Sequence, residues 1–225
     1  MELRNKTVLV TGGGVRIGRA ICRALAEEGA EVIIHFHRSS GEAARLKREL
    51  LNLGVRAFSL RADLSNERAC FQLIKKAHAL TGRLDILVNN AAVFHKDSVR
   101  TLTARNILDE FRPNLLAPLL LTRAFSEVTR TGKIVNLLDR RITGLDSSCI
   151  PYLLSKQALA EFTRMAALEL APGITVNAVA PGAILPPPGK GRAYLYDQAG
   201  PVPLKRQVTP RDVAEAVLYL LHSDS

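Results

Sequence analysis

Short apolar runs alternate with amphipathic stretches along almost the whole chain. The runs predict strands at Thr7–Val10, Glu31–Phe36, Ala57–Leu60, Ile86–Asn89, Ile134–Leu138 and Thr175–Val179. Their apolar residues are contiguous (VLV, VII, ILV) rather than alternating, which is the pattern of strands covered on both faces. Helical spacing between them predicts helices at Arg16–Glu28, Gly41–Leu53, Glu67–Thr81, Thr101–Asp109, Asn114–Thr129, Pro151–Leu170 and Arg211–Leu221. Such alternation predicts an α/β fold: a single Rossmann-type, doubly wound parallel sheet with helices on both faces. With 225 residues and no internal repeat, residues 1–225 are read as one domain. One stretch breaks the rhythm. Residues 182–204 (GAILPPPGKGRAYLYDQAGPVPL) are rich in proline and glycine. They are expected to form a substrate lid, because open α/β sheets bind ligands beyond the carboxyl ends of their strands. Pro186–Pro188 would stiffen its start.

Charge changes this picture little. Lys and Arg number 31 against 21 Asp and Glu, a formal net charge of +10. The basic residues are scattered, none in runs longer than the pairs such as Lys75–Lys76 and Arg140–Arg141, and aromatics make up only 5%. No nucleic-acid stripe results; the surface suits anionic small molecules better. No apolar run is long enough to cross a bilayer, and MELRNKTVLV leads straight into a strand, so no membrane partner and a cytoplasmic location are expected. Cys22, Cys70 and Cys149 lack metal spacing and are read as reduced thiols; His35 and His37 have no further metal-like partners, so no metal is expected.

The candidate chemistry lies at strand ends. Thr11–Gly18 (TGGGVRIG) joins the first strand to the first helix, where Gly12, Ile17 and Gly18 let main chain and free N–H groups approach a pyrophosphate. After the second strand come His37, Arg38 and Ser39, with no carboxylate between Glu31 and Glu42. An NAD site favours an acid near this point; an arginine followed by serines suits a 2′-phosphate, which implies NADPH. Tyr152 and Lys156 are four apart on one helical face, where an ammonium lowers the phenol's pKa and makes it a usable proton donor. Asp139 precedes Tyr152 by thirteen residues. A carboxylate there suits a basic ring nitrogen better than a ketone, though pairing with Arg140 or Arg141, or capping a turn, is the plainer role.

TGGGVRIG, Asp63 in RADL, Asn89-Asn90-Ala91-Ala92, Asn114, the Tyr152–Lys156 segment and Pro181-Gly182 resemble, in order and spacing, the short-chain dehydrogenase/reductase family over residues 5–222. Within it the details resemble pteridine reductases and bacterial dihydromonapterin or dihydrofolate reductases. Arg16 stands at a usual motif glycine, HFHRSS resembles a 2′-phosphate motif, and Phe94 matches an aromatic that stacks on the pterin. Asp139 replaces the usual serine.

The resemblance implies an NADPH-dependent oxidoreductase acting on a pterin or folate. Asp63 and Leu64 would flank the adenine, and Asn89, Ala91, Pro181 and Gly182 would line the rest of the cofactor site. Lys156 would hold the nicotinamide ribose, and Tyr152 would donate the proton. Asn114 would support a water relay, its carbonyl left free because Pro118 has no N–H to give it. Arg16 would reach phosphate or substrate, while Asp139 would bind the pterin or relay a proton to it. The rival classes are a carbonyl or 3-oxoacyl-thioester reductase and a module that senses NADPH without turnover. The family also implies a homo-oligomer, commonly a tetramer, and a final strand of the type TGQ…VDGG that this sequence does not contain.

Overall fold

The computed structural model describes residues 2–186, 189, 191, 193 and 208–223. Six parallel strands, β1 (Thr7–Val10), β2 (Glu31–Phe36), β3 (Ala57–Arg61), β4 (Ile86–Asn89), β5 (Gly132–Leu137) and β6 (Ile174–Val179), form one sheet in the order β3-β2-β1-β4-β5-β6. Val8 lies between Val32 and Ile86 in register, so the first strand is central and the chain winds outwards from it in both directions. β1, β4 and β5 are buried at every position, which is why their apolar runs do not alternate.

The helices divide between two faces. On one side α1 (Arg16–Glu27), α2 (Ser40–Asn52) and α7 (Pro210–His222) contribute Ile21, Leu25, Leu46, Leu50, Val217 and Leu221 to one core cluster. On the other, α3 (Glu67–Thr81), α5 (Ala117–Val128) and α6 (Ile150–Leu170) supply Ile74, Leu121, Phe125 and Ala166. The doubly wound architecture is therefore present as expected. No helix among the described residues is long and apolar enough to cross a membrane.

Local chemistry sets the boundaries. Asn66 caps α3 by accepting from the Ala69 N–H, and Gly82 ends it in the left-handed region. α4 (Ala104–Phe111) starts three residues later than its spacing predicts, because Thr103 is the cap, accepting from the Asn106 N–H. Between α4 and α5 the chain makes one π-turn, Arg112–Leu116, in which the Ala117 N–H reaches back to the Arg112 carbonyl. Pro113 and Pro118 flank the turn's centre, and Pro118 has no N–H to donate to Asn114, as the spacing predicted. A 3₁₀ turn over Arg140–Thr143 follows β5; no periodic signal announced it. The loop expected at 182–204 lies for the most part outside the described residues.

Phe125 is fully buried between α5 and the sheet. Phe125→Ala is expected to cost about 3–5 kcal/mol of unfolding free energy, measured by denaturant titration. A loss below about 1 kcal/mol would mean that this face of the sheet repacks without it.

Candidate active site

The strand-end candidates follow β1 to β6, and the π-turn and α6 bring Asn114, Tyr152 and Lys156 to them, around the point where β1 and β4 carry the chain to opposite sides of the sheet. A doubly wound sheet opens its ligand crevice there. After β1, Gly12 takes φ +61, and a Cβ on Gly18 would lie 2.3 Å from the Gly12 carbonyl oxygen. Only glycine allows that approach of helix to turn. α1 begins with no side-chain cap, so its first N–H groups are available to an anion. Ile17 packs against the core behind them. This cradle fits a dinucleotide's pyrophosphate.

Arg16 adopts φ +53, a left-handed conformation in which glycine would be free of strain. Its guanidinium donates to the Leu185 and Pro186 carbonyls at 3.2 and 3.0 Å, and so spans from the phosphate turn to the chain leaving β6.

At the ends of β2 and β3, Arg38 is exposed and Ser39 is the N-cap of α2, with its side chain making no capping bond. His37 Nε2 lies 3.8 Å from Asp63 Oδ2. Hydrogen bonds from Ser65 to Asp63 hold that carboxyl below its ordinary range, and Leu64 beside it is buried. His35 was not among the expected ligands, yet it braces this region. Its Nδ1 accepts from the Gly12 N–H at 3.1 Å, which leaves Nε2 to donate to the Ala62 carbonyl at 3.2 Å. Burial lowers its pKa to about 4, so the ring is neutral and joins three strand ends. A metal search among histidines would pass over this role.

After β4, Asn89 is buried and donates from Nδ2 to Asn136 Oδ1, while its own Oδ1 has no hydrogen-bond partner among the described residues. Ala91 donates its N–H to the Thr11 hydroxyl at 3.0 Å. Asn114 is fully buried in the π-turn, accepting from the Val93 N–H and donating to the Val93 carbonyl and to Glu110 Oε2.

The reacting end gathers around α6. The Tyr152 hydroxyl donates to Asp139 Oδ2 at 3.0 Å, and Arg141 Nη1 reaches the same oxygen at 3.1 Å. The Arg141 N–H donates to Oδ1 at 2.9 Å, making Asp139 the cap of the 3₁₀ turn as well. Three donors on one carboxyl are the pattern of an ionised acceptor. Arg141 also pairs with Asp146 at 3.2 Å and lies 5.7 Å from the Phe94 ring centroid. Phe94 meets Tyr152 edge-on, centroids 4.8 Å apart, and is 40% exposed. Near it the Pro181 carbonyl accepts from the Arg140 N–H, and Gly182 lies against Arg140. Asp139 therefore fills the plainer roles weighed for it, turn cap and arginine partner, while also holding the phenol.

One electrostatic expectation is corrected. The Tyr152 phenol is pushed up, first by burial and then by the neighbouring Asp139 charge. It is Lys156 that comes down, to about 8, because burial disfavours its ammonium; Asp139 and Glu110 partly oppose this. Lys156 Nζ donates to the Leu137 carbonyl at 2.7 Å. The ligand-free site thus holds a protonated phenol directed at a carboxylate. Sequence reasoning weighed Arg141 only as a charge partner and missed Glu110 altogether, since neither follows from a local period.

The family model described as short chain dehydrogenase matches residues 6–192. The crystal structure of FolM alternative dihydrofolate reductase 1 from Brucella canis, complexed with NADP, superposes with a TM-score of 0.91 at 34% identity, covering 100% of this chain and 90% of that one. A blue fluorescent protein from a metagenomic library, in complex with NADPH, also has a TM-score of 0.91, at 30% identity over 100% of this chain and 93% of its own. The uncharacterized oxidoreductase YhxC of Bacillus subtilis (strain 168) is 33% identical over 230 residues, 100% of this chain and 81% of its own length.

The buried ammonium has a measurable cost. Unfolded, Lys156 titrates near 10.5, and folded near 8. The folded chain thus binds fewer protons between those values, and its stability rises with pH across that window. Lys156→Met is therefore expected to be more stable than the parent near neutral pH, by up to about 3 kcal/mol. The advantage should fade as the parent's lysine loses its proton above pH ~8. Urea titrations at both ends of the window test this; equal stabilities near neutral pH would show that Asp139 and Glu110 offset the burial in full.

Proposed function

This chain belongs to the short-chain dehydrogenase family, and within it we propose that it uses NADPH to reduce a pterin: dihydrobiopterin, dihydromonapterin or dihydrofolate. The carrying observation is that one carboxylate oxygen, Asp139 Oδ2, holds both the Tyr152 hydroxyl and the Arg141 guanidinium beside an exposed Phe94 ring. The likeness to an alternative dihydrofolate reductase complexed with NADP supports the same reading.

Gly12, Gly18, Arg16 and the start of α1 would hold the pyrophosphate, and His37, Arg38 and Ser39 the 2′-phosphate. Asp63 and Leu64 would flank the adenine; Asn89, Ala91, Lys156, Pro181 and Gly182 would line the nicotinamide end. Bound there, NADPH supplies the hydride. Phe94 covers the flat pterin ring and limits its tilt. Asp139, paired with Arg141, accepts from ring N–H or amino donors. Tyr152 holds the proton for the ring nitrogen beside the reduced carbon. Moving it there requires the phenol to exchange Asp139 for substrate, and a pterin that occupies Asp139 with its own donors favours that exchange.

Assembly and location belong to the same proposal. α6 exposes Met165 and Leu168 at 63% and 84%, an apolar surface that supports a homo-oligomer, and a tetramer by family resemblance. Three free, buried cysteines accord with a cytoplasmic location.

Absorbance-followed oxidation of NADPH with the three dihydropterins and an acetoacetyl thioester in parallel is the direct test. Pterin turnover well above the thioester is expected, and turnover of the thioester alone would replace this reading with a carbonyl reductase. Tight NADPH binding without turnover of any acceptor would point to a sensor. Asp139→Ser is expected to lower kcat/KM for the pterin by about 10- to 100-fold with NADPH affinity nearly intact. Unaltered pterin turnover in that variant would remove Asp139 from the mechanism.

A further inference from the structure

Phe94 forms a wall of the site, yet its own packing does little to hold it. The side chain is 40% exposed, and residues 90–96 lie in no helix or strand. Its two chain neighbours are fastened instead. Val93 is gripped on both main-chain groups by the Asn114 carboxamide, at 2.8 and 2.9 Å. His95 donates twice to Glu110 Oε1, from its N–H at 2.7 Å and from Nδ1 at 2.8 Å. The other oxygen of the same carboxyl, Oε2, accepts from Asn114 Nδ2 at 2.7 Å. One carboxylate, itself 2% exposed, therefore anchors both sides of Phe94: directly through His95, and through Asn114 to Val93.

Glu110 lies in α4, one helical turn before Asn114 in the π-turn, so a single rigid segment carries both anchors. His95 closes the arrangement from outside, its side chain 67% exposed beside a cavity of about 220 Å³ that Lys96, Asp97, Asn106 and Asp109 also line. A buried carboxylate is costly unless its lone pairs are filled, and three donors fill these.

We propose that Glu110 and His95 are positioning residues that set Phe94 against Tyr152 through the main chain of residues 93–95. This rests on the reading above, in which Phe94 stacks on the substrate. A rival anchor lies two residues on: Asp97 joins the start of α6, donating its N–H to the Ser148 carbonyl and accepting from the Ile150 N–H. If that bridge alone held the segment, Glu110 would be dispensable to Phe94.

The chain contains no tryptophan, so Phe94→Trp supplies a single fluorescent reporter at the position in question. In that background Glu110→Gln replaces one of two acceptor oxygens with an NH2 that must face a donor, at Asn114 Nδ2 or at His95, and His95→Ala removes the outer side-chain donor to Glu110 at a residue whose own side chain is mostly exposed. Both are expected to raise acrylamide quenching of the introduced indole by about twofold and lower its anisotropy, while NADPH affinity and Tm stay near the parent's. His95→Asn, which keeps an N–H donor near the Nδ1 position, is expected to restore the parent's values.

In the protein that keeps Phe94 the first two changes should lower kcat/KM for the dihydropterin by roughly tenfold. An indole as shielded in the variants as in the parent would overturn the proposal, and so would loosening accompanied by lost NADPH affinity, which assigns the pair to general stability. If Glu110→Gln does not fold, the His95 pair decides by the same criteria. Absence of pterin turnover in the unaltered protein would end the substrate reading while the fluorescence result still decided the positioning.

Discussion

A buried ammonium constrains the whole site end of this fold. Lys156 is 2% exposed, and a cation so placed is tolerable only when hydrogen-bonded and faced by opposite charge. Its hydrogen bond goes to the Leu137 carbonyl, at the last position of β5. Its opposing charges are Asp139, just beyond the same strand, and Glu110, on α4. That bond ties α6 to the end of β5. Tyr152, one turn earlier on the same helical face, is then carried to the strand end where Asp139 stands. Burial disfavours this ammonium, and perturbed groups of that kind cluster at functional sites.

The two carboxylates that face Lys156 divide the work. Asp139 is bound by donors from α6 and from the turn that it caps, and so points into the crevice with one oxygen shared. Glu110 is filled by Asn114 and His95 and ties α4 to the segment after β4. Both act across gaps between elements, where packing alone leaves freedom. Networks of this kind are strongest when every member is satisfied.

Legibility followed physical range. Strands buried on both faces must be apolar throughout, so β1, β2 and β4 could be bounded to the residue from sequence. Tyr152 and Lys156 show because helical periodicity is local. The glycine turn shows because close approach excludes side chains, as at Gly18. What escaped notice depends on contacts that no local period encodes. Arg141 was weighed only as a charge partner of Asp139, and its place over Phe94 depends on the 3₁₀ turn, which no period announces. Glu110 fell just beyond the predicted end of its helix and drew no reading, since its partner His95 lies fifteen residues back across an irregular segment. His35 was weighed as a metal ligand, although a neutral ring with both nitrogens occupied is a brace. The direction of the tyrosine and lysine shifts escaped for a similar reason: it depends on burial depth, which spacing does not report.

The Asp139–Arg141 pair also bears on which acceptor fits. A hydroxyl in place of Asp139 donates or accepts as the substrate demands; an ionised carboxylate only accepts. A ketone has no N–H to offer it, and the alkoxide formed on reduction would meet negative charge where stabilisation is needed. A pterin reverses both terms. Its amide and amino hydrogens would meet an acceptor already ordered by Arg141, and its reduction places a proton on nitrogen rather than charge on oxygen. Arg141 therefore does more than neutralise. By anchoring Asp139 through its side chain and its main-chain N–H, two residues along the same turn, it fixes the direction from which such donors must come. If Phe94 stacks on the ring as proposed, one edge and one face of a flat heterocycle would be specified before it arrives.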